Sequence, residues 1–344
     1  MKQRKKSKRV RTRDWTEQHE FAFSHDLAKH RKRESTPDSV IARGFVPTTS
    51  EPNGVVVSHS GQWAFVVMEG VERLCLIDEK IVEGISTLLA PGDEVRVEPL
   101  GDDWFVRGIG ARRSQLSRLA LERSRLTEQL IAANVDLFVV VASAAQPRFK
   151  PGLVDRYLIA GGVGGVSPML CVNKMDLVDV EPEGIAQYRE LGLTVATVSC
   201  ETGQGLDALR EALRGKLSVL VGHSGVGKSS LLNALDPHLD IRTREVSGYN
   251  EKGRHTTSES RLYELDGGIR IIDTPGVRKV GVSGVSPEEL AFYFPEFESL
   301  ALECHFRNCT HVHEPDCAVR QALEAGALSR LRYESYLRIR ESLS

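Results

Sequence analysis

A glycine-rich run, Gly222-His223-Ser224-Gly225-Val226-Gly227-Lys228-Ser229-Ser230, follows an apolar segment, and Asp273-Thr274-Pro275-Gly276 comes after it. The segment Asn173-Lys174-Met175-Asp176, of the kind that reads a guanine base, ordinarily comes last in such a site. Here it lies well upstream of the glycine-rich run. A pocket closed in space does not depend on where the chain begins, so this order leaves the chemistry intact. It constrains the fold severely, because whatever the chain folds into has to gather these segments around one cavity.

A chain of 344 residues with 41% hydrophobic content holds enough apolar material for two or three domains with their own cores. No stretch is long and apolar enough to span a bilayer, and the N-terminus is a basic run without an apolar signal region. The expectation is a cytoplasmic protein that does not contact membrane. The formal net charge of -2 hides an asymmetry: residues 1–33 carry 12 basic and 4 acidic side chains, which leaves the rest acidic. Lys and Arg fill 8 of the 12 positions from Lys2 to Arg13. Such a run reads as a disordered arm that neutralises phosphates on an RNA.

Residues 1–37 read as that basic tail, residues 38–112 as a small β-barrel of the OB type, residues 113–295 as a P-loop α/β domain, and residues 296–344 as a helical unit with a metal site. In the barrel region, a hairpin is expected around Ser60-Gly61, and about five short strands end with Trp104-Phe105-Val106. Trp63, Phe65, Trp104 and Phe105 are candidates either for barrel core or for stacking on bases. Leu116 to Leu130 has apolar spacing suited to a helix. Beyond it, apolar runs at Asp136–Ala142, Pro168–Val172, Thr194–Val198, Lys216–Val221 and Ile269–Ile272 alternate with helical segments, which argues a mainly parallel sheet covered on both faces. Leu328, Leu331 and Leu337 are the expected packing positions of the last helix.

The residue types account for the chemistry. Gly222, Gly225 and Gly227 let backbone N–H groups turn toward phosphate oxygens. Lys228 then bridges the β- and γ-phosphates, and the Ser229 hydroxyl ligates Mg²⁺. Asp273 ends an apolar strand, where it can hold a Mg²⁺-bound water, and the Gly276 N–H can meet the γ-phosphate. The Asp176 carboxylate accepts from the N1–H and exocyclic amine of guanine, a donor pair that adenine lacks, so GTP is favoured over ATP. The Lys174 stem covers the base plane, and a backbone N–H of Ser199-Cys200 reaches the guanine O6. One of Thr256 and Thr257, with Thr257 preferred, completes the Mg²⁺ shell. Val277 stands where many GTPases carry a water-orienting Gln, so unassisted hydrolysis is expected to be slow, and His255 either orients the water or braces its loop. Further on, Cys304, Cys309 and Cys317 form a set of three thiols that suits a closed tetrahedral Zn²⁺ site, with His311, His305 and His313 as competing nitrogen ligands.

The chain resembles the RsgA (YjeQ/YloQ) family of circularly permuted, small-subunit-dependent GTPases. The resemblance runs over roughly residues 40–340. It rests on Ala132-Ala-Asn-Val-Asp136, Asp155-Arg-Tyr-Leu158, Asn173-Lys-Met-Asp176, Gly222 to Ser230, His255-Thr-Thr257, Asp273-Thr-Pro-Gly-Val-Arg278 and the Cys/His cluster. It implies an OB domain, a circularly permuted GTPase domain and a zinc domain, whose ligands carry over onto Cys304, Cys309, His311 and Cys317. It also implies GTP hydrolysis stimulated by the small (30S) ribosomal subunit, contact with 16S rRNA near the decoding region, and a role late in that subunit's maturation, beside other assembly factors and as a monomer. The basic arm is not a core feature of the family. A further expectation is that GTP orders Ile271 to Lys279 and thereby fixes the zinc domain against the barrel.

Overall fold

The structure, a computed structural model, describes residues 48–77, 89–122, 125–238, 260–274, 282 and 284–343. Its first unit is built from β1 (Thr48–Thr49), β2 (Gly54–Ser60), β3 (Trp63–Met68), β4 (Val71–Ile77), β5 (Glu94–Leu100) and β6 (Asp103–Gly110). Alternation explains why these are strands: along β3, Trp63 and Phe65 are exposed while Ala64, Val66 and Met68 are buried. The antiparallel run β2–β3–β4 continues through a parallel pair with β6, which pairs with β5, and β5 returns to β2. That closed order is the OB-fold barrel, and closure leaves no exposed strand edge among these five strands. Val56, Val66, Cys75, Val95 and Val106 fill its core. Trp104 packs against that core, whereas Trp63 and Phe65 face outward.

The helix expected from Leu116 to Leu130 is instead an antiparallel hairpin, β7 (Gln115–Glu122) with β8 (Arg125–Ala133). Leucine, arginine and glutamate are good helix formers, but helix propensity is small per residue and strand pairing overrides it here. Its register sets Leu121 opposite Leu126 and Leu116 opposite Ala132. The closing contact is tertiary: the Asn134 side chain donates to the Gly92 carbonyl in the barrel at 3.0 Å and accepts from the Arg113 N–H at 2.9 Å. Gly92 lies in the left-handed region, and a Cβ there would come within 2.1 Å of the Ala133 carbonyl, so only glycine permits this approach.

The α/β domain follows. Its elements are β9 (Leu137–Ser143), α1 (Pro151–Val163), β10 (Ser167–Asn173), α2 (Ile185–Glu190), β11 (Thr194–Thr197), α3 (Leu206–Leu213), β12 (Leu217–Val221), α4 (Lys228–Leu235), β13 (Arg261–Leu265) and β14 (Ile269–Asp273). The sheet order is β11-β10-β9-β12-β14-β13, parallel throughout except for β13. Alternate residues of β9 serve opposite faces: Phe138 and Val140 join the cluster with α1 and α2, and Val139 and Val141 join the one with α3 and α4. The five parallel runs match the expected ones. The antiparallel β13 was not among them. On it, Arg261 pairs across the sheet with Asp273 and reaches the barrel, donating to both Glu72 carboxylate oxygens at 2.9 and 2.8 Å.

The C-terminal unit contains α5 (Pro295–Leu302), α6 (Ala318–Glu324) and α7 (Arg330–Glu341), packed around Phe294, Phe297, Tyr333, Tyr336 and Ile339. Leu328 is buried and Leu337 packs against this core as expected, while Tyr333 and Tyr336 of α7 lie within the core and Leu331 is only half-buried outside it. This unit docks on α1. The buried Arg332 guanidinium pairs with Asp155 of α1, donates to Glu296 of α5 at 2.6 and 3.1 Å, and lies 4.5 Å from the centre of the Phe294 ring. Burial opposes the charge on Arg332, but Asp155 and Glu296 outweigh it and raise its pKa above the usual range. The same burial pushes the Asp155 carboxyl upward, with Arg332 pulling against it. The expected anchoring of this unit through Ile271 to Lys279 involves residues beyond Thr274 that lie largely outside the described ones, while the contact through α1 stands within them. Replacing Arg332 by Met strands two carboxylates at this junction. We expect a loss of about 3–5 kcal/mol in unfolding free energy, measured by urea denaturation followed by circular dichroism. A loss below about 1 kcal/mol would show that water relieves the buried charges.

Candidate guanine-nucleotide site and metal centre

Among the described residues, the segments that carry candidate nucleotide residues leave the sheet on one rim. Asn173 ends β10, Ser199 follows β11, Gly222 follows β12 and Asp273 ends β14, all at the carboxyl ends of parallel strands. In an open α/β sheet this is where ligands bind. Because β12 lies between β9 and β14, the segment Asn173–Asp176 comes beside Gly222–Ser230 in space although it precedes it in sequence.

The two segments touch directly. The Asn173 carboxamide, buried at 1% exposure, donates to the Val226 carbonyl at 3.1 Å and accepts from the Cys200 N–H at 3.3 Å. Lys174 Nζ donates to the Gly225 carbonyl at 2.7 Å and also to the Gln146 carbonyl of the β9–α1 loop. Gly227 has a φ of +95°, and a Cβ on it would come within 2.4 Å of Asn173 Nδ2, so contact and conformation both require glycine. Asp176 is exposed on the rim, and the buried Ser199 hydroxyl donates to its Oδ1 at 2.5 Å while accepting from the Thr202 N–H at 3.1 Å. Ser199 therefore orients the carboxylate, a role the sequence did not reveal because the contact joins two different loops. Burial, with the charge of Asp176 adding to it, holds the Cys200 thiol above its usual range, and burial pushes that of Cys171 up to about 12. Burial thus disfavours the thiolate form at both positions.

In the glycine-rich loop, Gly222 has a φ of +151°, and a Cβ on it would come within 2.2 Å of the Val141 carbonyl. His223, Ser224 and Gly225 are exposed at the crest, and Val226 is buried beneath them. Lys228 Nζ donates to the Gly222 and His223 carbonyls at 2.7 and 3.1 Å, which holds the ammonium within the curve of the loop. Ser229 and Ser230 lie in the first turn of α4, whose N-terminus supplies oriented N–H groups to an anion. Asp273 is half-buried at the end of β14. Three sequence-derived candidates, His255, Thr257 and Gly276, lie outside the described residues, as do Thr256 and Val277.

The second constellation lies in the C-terminal unit. The ligand atoms of Cys304, Cys309, His311 and Cys317 all fall within 4.8 Å of one another. A tetrahedral zinc with bonds of about 2.3 Å to sulfur and about 2.1 Å to nitrogen spaces its ligands about 3.6–3.8 Å apart. Here His311 Nδ1 lies 3.6 Å from the Cys304 sulfur and 3.5 Å from that of Cys317, and those two sulfurs are 3.9 Å apart. The set therefore fits zinc, and of the three histidines it is His311 whose ring nitrogen lies among the sulfurs. Burial pushes the Cys309 thiol up to about 12, so metal binding would release protons. We expect about one zinc ion per chain by elemental analysis, and loss of tight binding in Cys304→Ser.

The family model for the RsgA GTPase matches residues 109–283. A protein of Chlorobaculum parvum named small ribosomal subunit biogenesis GTPase RsgA is 42% identical over 269 residues, covering 75% of this chain and 86% of the relative. One of the same name from Gemmatimonas aurantiaca is 40% identical over 303 residues, covering 86% of this chain and 98% of the relative. Among solved structures, YjeQ from Thermotoga maritima aligns with a TM-score of 0.68 at 30% identity, covering 85% of this chain and 98% of that one. YloQ, described as a circularly permuted GTPase, aligns with a TM-score of 0.63 at 28% identity, covering 85% and 94%. With the permuted site, the closed barrel and this extent of identity together, the chain belongs to the RsgA GTPase family.

Proposed function

We propose that the protein is a GTPase that binds the small ribosomal subunit and acts in its maturation, hydrolysing GTP to GDP and phosphate. The observation that carries this reading is the pair of contacts from Asn173 and Lys174 onto the Val226 and Gly225 carbonyls. They bring a guanine-selective carboxylate and a phosphate-binding loop to one rim. The names of the relatives support the cellular role.

On this reading the two Asp176 oxygens take the N1–H and amine of guanine, the Lys174 stem covers the base, and the Ser199-Cys200 segment lies at the O6 edge. The N–H groups of Gly222 to Lys228 surround the phosphates, and Lys228 offsets the charge that develops between the β- and γ-phosphates. The hydroxyl of Ser229 and the carboxylate of Asp273 are the hard oxygen donors that Mg²⁺ takes, directly or through water, and Thr257 would add a third. Bound Mg²⁺ would neutralise phosphate charge. The Gly276 N–H is assigned to the γ-phosphate and His255 to the water-orienting group that Val277 cannot supply. We assign the 16S rRNA contact to the outward barrel face, where Trp63, Phe65 and Leu74 are exposed and the Arg261 guanidinium lies 5.8 Å from the centre of the Phe65 ring. Action on a nascent ribosomal subunit places the protein in the bacterial cytoplasm, as a monomer working beside other assembly factors. No helix among the described residues is long and apolar enough to cross a membrane.

The decisive experiment compares GTP turnover with and without purified small subunits, for the protein and for Lys228→Ala. Stimulation by small subunits that Lys228→Ala abolishes is the expected result. Absence of turnover under both conditions would leave an RNA-binding scaffold, and equal stimulation by unrelated RNA would point to another client. For base selectivity, Asp176→Asn replaces an acceptor by a donor. It should weaken GTP about 10–100-fold in equilibrium binding and favour xanthosine triphosphate, whose C2 carbonyl accepts that donor.

A further inference from the structure

The turn that presents His311 is built around an anion supplied by the chain itself. Glu314 lies between the ligands His311 and Cys317, and its carboxylate accepts from four donors. These are the Thr310 N–H at 2.9 Å, the Thr310 hydroxyl at 2.5 Å, the Val312 N–H at 3.1 Å and the His313 N–H at 3.2 Å. Backbone N–H groups that converge in this way form a nest, a concavity that selects negative charge. At its centre His311 adopts a φ of +58°, a left-handed conformation that is unfavourable for a residue with a Cβ. The N–H groups on both sides of His311 are bound to the same carboxylate, so opening the turn would release both. Two tyrosines of α7 close the other side: Tyr333 donates to the His311 carbonyl and Tyr336 to the Thr310 carbonyl, each at 2.7 Å. The imidazole, 3% exposed, meets Phe297 edge-on at 5.8 Å.

We propose that Glu314 is the positioning residue of the metal centre. It fills the nest, holds His311 in its left-handed conformation and so aims Nδ1 at the sulfurs of Cys304 and Cys317. This proposal rests on the reading of the cluster as a zinc site. Without the carboxylate, the turn relaxes toward ordinary backbone angles, and the imidazole leaves a set of three thiols that binds zinc less tightly. A glutamine has nearly the same shape, but it offers one acceptor oxygen in place of two and turns an NH₂ toward backbone donors.

The test is a cycle of Glu314→Gln, His311→Ala and the double variant in the full-length protein. Zinc affinity is read by competition with a chromophoric chelator, and the visible bands of the cobalt-loaded protein report the ligand set. Glu314→Gln should weaken zinc about 10–100-fold and shift the cobalt bands toward those of His311→Ala. In the His311→Ala background the same change should have little further effect, because Glu314 acts through His311. A merely structural glutamate would weaken binding equally in both backgrounds and leave the cobalt bands in place. Thr310→Val, which removes one of the four donors, provides a milder variant if Glu314→Gln fails to fold, and should weaken zinc a few-fold. Wild-type protein that takes up no zinc overturns the metal reading. Zinc bound by wild type and by Glu314→Gln with equal affinity overturns the role of Glu314 alone.

Discussion

One buried carboxamide holds the nucleotide rim together. Asn173 reaches from the base-reading segment to the glycine-rich loop through Val226, and to the loop after β11 through Cys200. Three stretches separated in sequence thus meet on a single side chain that has almost no solvent contact. A buried amide with its donor and acceptor both engaged is costly to displace, since each freed group would remain unpaired. Gly227 completes the arrangement by leaving room for the Asn173 nitrogen. The conformation of the glycine-rich loop and the placement of the segment that carries Asp176 are therefore parts of one packing solution.

The permuted connectivity has a mechanical consequence. The stretch from β9 into α1 touches the base-reading lysine at its beginning, through the Gln146 carbonyl, and the C-terminal unit further along, through Asp155. At the β13 edge of the sheet, Arg261 joins the strand beside Asp273 to the barrel. The nucleotide rim is thus connected to both flanking domains by short runs of chain, each ending in an arginine paired with carboxylate. The metal cluster joins the same frame, because α7 carries Arg332 toward the α/β domain and Tyr333 and Tyr336 toward the His311 turn.

Much of this was legible from residues. The parallel strands announced themselves as apolar runs, since a strand buried on both faces has no polar positions to disguise it. The barrel was readable from alternation and turn residues, and the Cys/His cluster from the close spacing of three cysteines. The hairpin of β7 and β8 was not, because its leucines, arginines and glutamates fit helical spacing equally well and its base is closed by Asn134 reaching into the barrel. Strand β13 was missed because its mixed polarity suits an edge strand with a neighbour on one side only. Among the barrel aromatics, sequence could not separate Trp104, packed on the core, from Trp63 and Phe65 on the outer face.

The amino-acid sequence by itself determined which chemical groups are present and in what local setting: a phosphate loop at the start of a helix, a carboxylate after a buried strand, three thiols and an imidazole within one short segment. These are local properties, set by backbone freedom, side-chain chemistry and spacing. Only the tertiary structure decided that Asn173 seats on Val226, that Ser199 aims Asp176, and that Arg332 fastens the C-terminal unit to α1. Such choices depend on which distant groups are excluded from water together. A buried donor takes whatever acceptor the packing brings within reach, and no local pattern in the chain records which one that is.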